Sequence, residues 1–240
     1  KGIINSFNPL QSEMQESGCY ELTLIDLKYI IDGLTSISKA WYSANVDFAF
    51  NEILRAIQKQ KQAPKEMGSY SHELAKFVAK LLNVKQGSLY EPFAGDGFLG
   101  TLLDDSVSYK GKVICYDMKP IAKLNLLLHS KDSKSIEYSP LSAWNDKQFD
   151  NIVMLPILSH EPLKRMRAYN LYDFQHLDDE PRNMLAVAAE SSNKKSVSVH
   201  FPSTCFSKEG VSFIKPLIDS DLLETVVLLP SNVLDGTNVQ

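Results

Sequence analysis

The sequence predicts an α/β fold: a doubly wound, mostly parallel sheet behind an N-terminal helical extension. Five short stretches, at about 88–93, 112–117, 149–155, 196–201 and 223–229, are rich in Val, Ile, Leu or Phe, as strands buried on both faces tend to be. Helix-length segments at about 98–105, 119–130, 182–191 and 207–219 lie between them, and parallel neighbours need such crossovers. The 240 residues, 44% of them hydrophobic, suffice for one good-sized core, and no internal repeat or low-complexity block competes with that reading.

Residues 1–20 are polar and irregular. Leu22, Ile25 and Tyr29, then Phe48, Ile53, Leu54 and Ile57, recur at helical spacing and predict two or three helices before residue 60. The polar run 59–68 reads as a linker, so the chain divides into an N-terminal helical segment over 1–66 and a main domain over 67–240. Ser71 is placed to cap a helix whose apolar face is Leu74, Phe77, Val78, Leu81 and Leu82, ending near Asn83. The chain starts at Lys1 and ends just after the turn-like Asp235-Gly236-Thr237-Asn238, which reads as a fragment with structure missing at its C-terminus.

Composition narrows the function classes. A formal charge of −4 supplies no whole-chain field for a polyanion, which argues against a stand-alone DNA binder. Cys19, Cys115 and Cys205 are odd in number, far apart and without a CxxC pattern, which suits a reducing compartment. No apolar run approaches the ~20 residues of a membrane span and no secretory signal is evident, so the expected location is the cytoplasm.

The chemistry points first to YEPFAGDGFLG, residues 90–100, where Phe93, Gly95 and Gly97 follow a predicted strand and precede a helix starting near Phe98. Glycine removes the Cβ that would hold a ligand away and permits positive φ, although such a turn also serves simply to join a strand to a helix. VICYD, residues 113–117, ends in Asp117, 20 residues beyond Gly97, where an acid can accept hydrogen bonds from both ribose hydroxyls. The alternative is that Asp117 caps the helix entered through Lys119-Pro120. Together, loop and acid favour a ribose-containing cofactor. The loop lacks the third glycine of a dinucleotide site and carries acids, which suits a sulfonium donor better than a pyrophosphate.

These residues carry a resemblance to the modification (M) subunit of type I restriction-modification systems, the N6-adenine DNA methyltransferase family. GSYSHELAKFVAKLL, residues 68–82, is similar to that family's Thr-Pro-containing helix start, and YEPFAGDGFL resembles its Asp-Pro-x-x-Gly-x-Gly-Gly-Phe-Leu loop. YDMKPIAKLNLLLHS, residues 116–130, resembles the stretch ending in Asn-Leu-x-Leu-His. Residues 199–239 resemble the family's late strand, helix and strand, with Leu229-Pro230-Ser231-Asn232 and Gly236-Thr237 in place.

The resemblance implies a class I S-adenosylmethionine-dependent methyltransferase fold with S-adenosyl-L-methionine as cofactor. It places Tyr70 and Ser71 at the donor's border, Glu91, Gly95 and Gly97 near its methionine end, and Asp117 at its ribose, with Phe93 a further cofactor-binding position of the loop. It also implies DNA reached through a complex with specificity-type and restriction-type subunits. Asn125 and His129, four residues apart on one helix, read as packing or hydrogen-bonding residues, and no metal site is expected.

One segment departs from the family pattern. Adenine-N6 transfer in the family uses an Asn/Asp-Pro-Pro-Phe/Tyr turn whose amide oxygen and a backbone carbonyl accept the amine's hydrogens while the aromatic stacks on a flipped base. The aligned segment here, FDNIVMLPIL, residues 149–158, has Leu155 at the Asn position, then Pro156, and Leu158 at the aromatic position. Neither leucine offers an acceptor or a π-face. Asn151 and Asn145 are the alternative amides, and Asn151 falls inside the predicted strand, too far back for a one-residue slip to bring it to the turn. SPLSAW, residues 139–144, also lacks the Asp with which the family often contacts the donor's adenine.

Lys164, Arg165 and Arg167, and Lys194-Lys195, read as solvated surface clusters rather than a base-reading face. Three readings stay open: a type I modification-subunit relative with an altered catalytic turn, a non-catalytic methyltransferase-fold scaffold or regulator binding DNA or protein, and a methyltransferase for a non-adenine acceptor.

Overall fold

A computed structural model describes residues 45–48, 50, 71–113, 118–138, 149–155, 194–199, 206 and 208–230. Five strands, β1 (Gly87–Glu91), β2 (Val107–Val113), β3 (Ile136–Tyr138), β4 (Asn151–Met154) and β5 (Lys195–Ser198), form one sheet in the order β3-β2-β1-β4-β5. Every pairing is parallel. The chain winds outward from β1 to β3, then returns to the other side of β1 for β4 and β5, so the predicted doubly wound sheet is present. The helices are α1 (His72–Leu82), α2 (Phe98–Thr101), α3 (Met118–Leu128) and α4 (Lys208–Asp219).

Helix α1 starts where Ser71 Oγ accepts the Leu74 N–H at 3.2 Å, and stops at Asn83, whose left-handed backbone (φ 47°) sends its N–H to Ala79 O. Its buried stripe is Leu74, Ala75, Val78 and Leu82, against Leu89, Phe98, Leu99, Val153 and Leu155. Phe77 and Leu81, expected on that face, are 40% and 43% exposed. The contact is narrower because residues at i, i+4 and i+8 align along the helix while 77 and 81 fall on its flank.

Strand β2 begins at Val107, earlier than the apolar-run reading placed it; residues 114–117 lie outside the described ones. Val107, Tyr109, Gly111 and Val113 alternate with Ser108, Lys110 and Lys112, the period-two signature of a strand with one polar face. Helix α2 is one turn long rather than reaching residue 105, and β3, three residues of mixed polarity, was not anticipated. The predicted strand over 223–229 is absent. Residues 222–230 form no ladder, and Leu222, Val226, Val227 and Leu228 are exposed, Leu228 by 71%. A β-rich composition yields a strand only where the backbone finds a pairing partner, and none of the five strands pairs with this segment. The predicted helix over 182–191 lies outside the described residues.

A second core cluster joins α3 to the sheet through Val113, Met118, Ala122, Leu126 and Ile136, and includes Ala94 and the N-terminal Phe50. Residues 45–48 and 50 are helical, and His129 ties them to α3: Nε2 lies 2.8 Å from Asp47 Oδ1, and Nδ1 2.8 Å from Asn125 O. His129 is thus a hydrogen-bonding residue, as expected.

At the N-terminal ends of β1 and β4 a reciprocal clamp forms. The Ser88 N–H donates to Asp150 Oδ2 (3.0 Å) and the Asp150 N–H to Ser88 Oγ (2.8 Å), with Lys194 Nζ 3.4 Å from Asp150 Oδ1. The Ser88 backbone donor first, then the Lys194 charge, hold the Asp150 carboxyl below its ordinary value. A folded pKa below the unfolded one stabilises fully above the ordinary carboxylate value of about 3.9, and the contribution fades as pH falls through the folded pKa. Asp150→Asn is therefore expected to lower the melting temperature by a constant amount between about pH 5 and 7, the gap closing below about pH 4. A gap independent of pH in a melting series would remove the carboxylate from the account.

Candidate functional site

In open parallel sheets the ligand crevice lies outside the carboxyl ends of the strands, where the strand order reverses. Here the reversal is between β1 and β4, which pair directly. The chain leaves the sheet there at residues 92–97 after β1 and at Leu155 after β4. The sequence-predicted cradle and the sequence-predicted catalytic turn therefore start side by side.

The first loop is tightly built. The Ala94 N–H donates to Lys112 O (2.8 Å), the Gly97 N–H to Ala94 O (2.6 Å), and the Phe98 N–H to Asp96 Oδ1 (3.0 Å). Gly95 and Gly97 both take positive φ, 51° and 74°, which L residues with a Cβ rarely adopt. A Cβ on Gly97 would sit 3.2 Å from Ala122 O, so this glycine also lets α3 approach the loop. Phe93, in the loop itself, is 2% exposed.

Glu91, the last residue of β1, is fully buried, and the Tyr109 hydroxyl donates to its Oε2 at 2.6 Å. Burial first, then the Glu91 carboxylate, push the Tyr109 phenol well above its ordinary pKa, so it stays a donor throughout the physiological range. The Tyr109 ring lies against two glycines: a Cβ on Gly100 would come 2.5 Å from Tyr109 Cε1, and one on Gly111 2.6 Å from its hydroxyl oxygen. Their lack of side chains makes room for the ring that carries the donor to Glu91.

Asp96 is fully buried and faces inward. Besides Phe98 N, its carboxylate meets His72 Nε2 at 3.3 Å, and its carbonyl accepts from Asn125 Nδ2 at 3.0 Å. The His72 ring stacks flat on Phe98 with centroids 3.5 Å apart. Asn125 is buried, and its Oδ1 has no hydrogen-bond partner among the described residues.

Of the predicted donor-site residues, Ser71, Glu91, Phe93, Gly95 and Gly97 lie among the described ones; Tyr70 and Asp117 do not. Ser71 has its hydroxyl committed to the α1 cap. Of the predicted turn, Leu155 is 2% exposed, its side chain in the core with Leu74, Val78, Leu89 and Val153; Pro156 and Leu158 lie outside the described residues. Asn151 starts β4, at the far end of the strand from that turn, and its Nδ2 donates to Ser88 O at 3.1 Å, so it supplies no amide there. Lys194 is tied to Asp150 at the same far end, while Lys164, Arg165 and Arg167 lie outside the described residues.

Sequence reasoning missed His72, Tyr109 and the inward role of Asp96. Tyr109 had a signal in the alternation of 107–113. The partnership of His72 with Asp96, 24 residues away, had none.

The parallel five-stranded sheet with its helices is an α/β arrangement of the class I S-adenosylmethionine-dependent methyltransferase fold. Among solved structures, the chain is similar to the methyltransferase subunit of a type I restriction-modification system from Streptococcus thermophilus, with TM-score 0.53 and 18% identity over 72% of this chain and 43% of that one. It is likewise similar to a protein from Listeria monocytogenes assigned to the class I S-adenosylmethionine-dependent methyltransferases, with TM-score 0.53 and 12% identity over 78% and 61%. The chain thus spans less than two thirds of either protein's length. No family model matches the sequence, and no curated protein matches it.

The residues present suit S-adenosylmethionine. Glu91 places a fully buried carboxylate, accepting from Tyr109, at the end of β1, and left-handed glycines shape the adjoining backbone. Among the described residues no helix is long and apolar enough to cross a membrane.

Proposed function

We propose that this chain is a relative of the type I modification subunits that binds S-adenosylmethionine and lacks the side-chain apparatus for adenine-N6 methylation. In this reading residues 67–240 form a methyltransferase-like domain behind a helical segment, 1–66, and the protein works in the cytoplasm. It reaches DNA through a complex with specificity-type and restriction-type subunits. The observation that carries the reading is the position of the 92–97 loop: at the carboxyl end of β1, beside β4, where the strand order reverses.

Glu91, held by Tyr109, orients the methionyl end; Gly95 and Gly97 keep the backbone close; Phe93 walls the loop; Tyr70 and Ser71 border the site; Asp117 takes the ribose hydroxyls. S-adenosylmethionine, when bound, supplies an electrophilic methyl group on a sulfonium. No residue of this chain is assigned to accept the adenine amine's hydrogens, since Leu155 has no acceptor and its side chain is buried in the core.

That burial favours a second reading, a methyltransferase-fold scaffold that holds the donor, or only the fold, for a partner's benefit. Titration calorimetry with S-adenosylmethionine separates the two. Wild type is expected to bind, with Glu91→Gln and Asp117→Ala each weakening affinity about 10-fold or more, the size of a lost charged hydrogen bond. No heat with wild type would leave only the scaffold. Tritiated-methyl transfer to adenine-containing DNA is expected to be absent, and transfer to RNA or protein instead would establish a different acceptor.

A further inference from the structure

The 92–97 loop contains two left-handed glycines, although Phe93 and Ala94 are buried. Such a segment loses much conformational freedom on ordering, and a ligand that had to order it would bind correspondingly weakly. Its one polar side chain, Asp96, is buried and engaged by groups from outside the loop. His72, in the first turn of α1, brings Nε2 to 3.3 Å from Asp96 Oδ2, and Asn125, on α3, donates Nδ2–H to Asp96 O at 3.0 Å. The remaining carboxylate oxygen takes the Phe98 N–H.

His72 is itself fixed. Ser71 caps the helix one residue earlier, and the imidazole lies flat on Phe98 with its centroid 3.5 Å from that ring. Because a carboxylate only accepts, the nitrogen facing Asp96 is the protonated one. Asn125 is buried and makes this contact with one end of its amide while Oδ1 has no partner among the described residues. A buried acceptor left unsatisfied costs stability, so packing alone does not account for an amide at this position.

We propose that His72 and Asn125 are positioning residues for the donor loop: from α1 and α3 they grip Asp96 and hold residues 95–98 in the ligand-ready conformation before S-adenosylmethionine arrives. The part of this that concerns the donor rests on the function proposed above; the grip on the loop does not. Neither residue touches the donor. Each acts through Asp96.

The test compares His72→Phe, which keeps the stack on Phe98 and deletes the N–H, with His72→Gln, which keeps an N–H donor. Amide hydrogen exchange of the ligand-free protein, read by NMR at Gly97 and Phe98, is expected to quicken about tenfold in His72→Phe, with β1 and β2 amides unchanged and His72→Gln near wild type. Asn125→Leu, of similar volume, is expected to quicken the same two amides. S-adenosylmethionine affinity by calorimetry is expected to fall about tenfold in His72→Phe and to recover in His72→Gln. Unchanged exchange at Gly97 and Phe98 in His72→Phe overturns the proposal, as does an equal rise across the whole sheet in both His72 variants. Altered loop exchange in a protein that binds no donor would retain the grip and remove the donor reading.

Discussion

Leu155→Asn is expected to destabilise the protein by about 2–5 kcal/mol and to restore no methyl transfer to adenine. By alignment alone the substitution looks like a repair, since it returns the amide that the resembled turn carries. The packing says otherwise. Leu155 is 2% exposed and sits in the cluster formed by α1, α2 and the sheet, with Leu74, Val78, Leu89, Phe98 and Val153 around it. An asparagine there gives up the apolar contact and buries an amide among hydrocarbon, which by itself costs about 1–3 kcal/mol if unpaired. Urea denaturation checks the first half and tritiated-methyl transfer to DNA the second. A stable variant with new transfer activity would mean that the side chain at 155 can turn out of the core toward the acceptor.

The second large effect concerns Tyr109 and its two glycines. Gly100→Ala lies in α2, where helix propensity alone predicts a gain of about 1 kcal/mol. The new Cβ would stand 2.5 Å from Tyr109 Cε1, and the ring has little room to retreat, because on the Gly111 side its hydroxyl oxygen is 2.6 Å from where a Cβ there would be. Overpacking of about 1–3 kcal/mol therefore outweighs the propensity term, and net destabilisation is expected. Gly111→Ala is expected to cost at least as much, since its Cβ would also come 2.7 Å from Ile136 Cδ1 and 2.9 Å from Ala94 Cβ, in a strand that cannot shift without breaking ladder bonds. In a Tyr109→Ala background most of the Gly100→Ala penalty is expected to vanish, a coupling that a double-mutant cycle by urea denaturation measures directly. Additive costs would show that the ring is not what the glycine accommodates.

Much of the fold was legible. The Ser71 cap, the α1 face through Leu74, Val78 and Leu82, and strands β1 and β4 follow from local capping and buried apolar runs, while β5, expected over 196–201, is the half-exposed Lys195–Ser198. The early start of β2 was written in the alternation of Val107, Tyr109, Gly111 and Val113, but an expectation of continuous apolar strands passed over it. The three residues of β3 carry too little pattern to announce a strand and are held by pairing with Gly111, Lys112 and Val113. Residues 223–229 show the converse: strong β composition, yet no ladder with the described strands, since composition alone does not secure pairing.

The candidate site divides along the same line. Glycines at 95 and 97, an acid at the end of β1 and a non-polar residue at 155 are properties of single positions, and the sequence by itself determined them: freedom to take positive φ, charge and the lack of an acceptor go wherever the residue goes. Which way each group faces was decided only by the tertiary structure. Asp96 turned inward to His72, Gly97 opened a path for Ala122, Tyr109 reached Glu91 between two glycines, and Leu155 joined the core. Those outcomes depend on distances between residues 18 to 81 positions apart, set by how helices settle on a twisted sheet, and no local pattern encodes them.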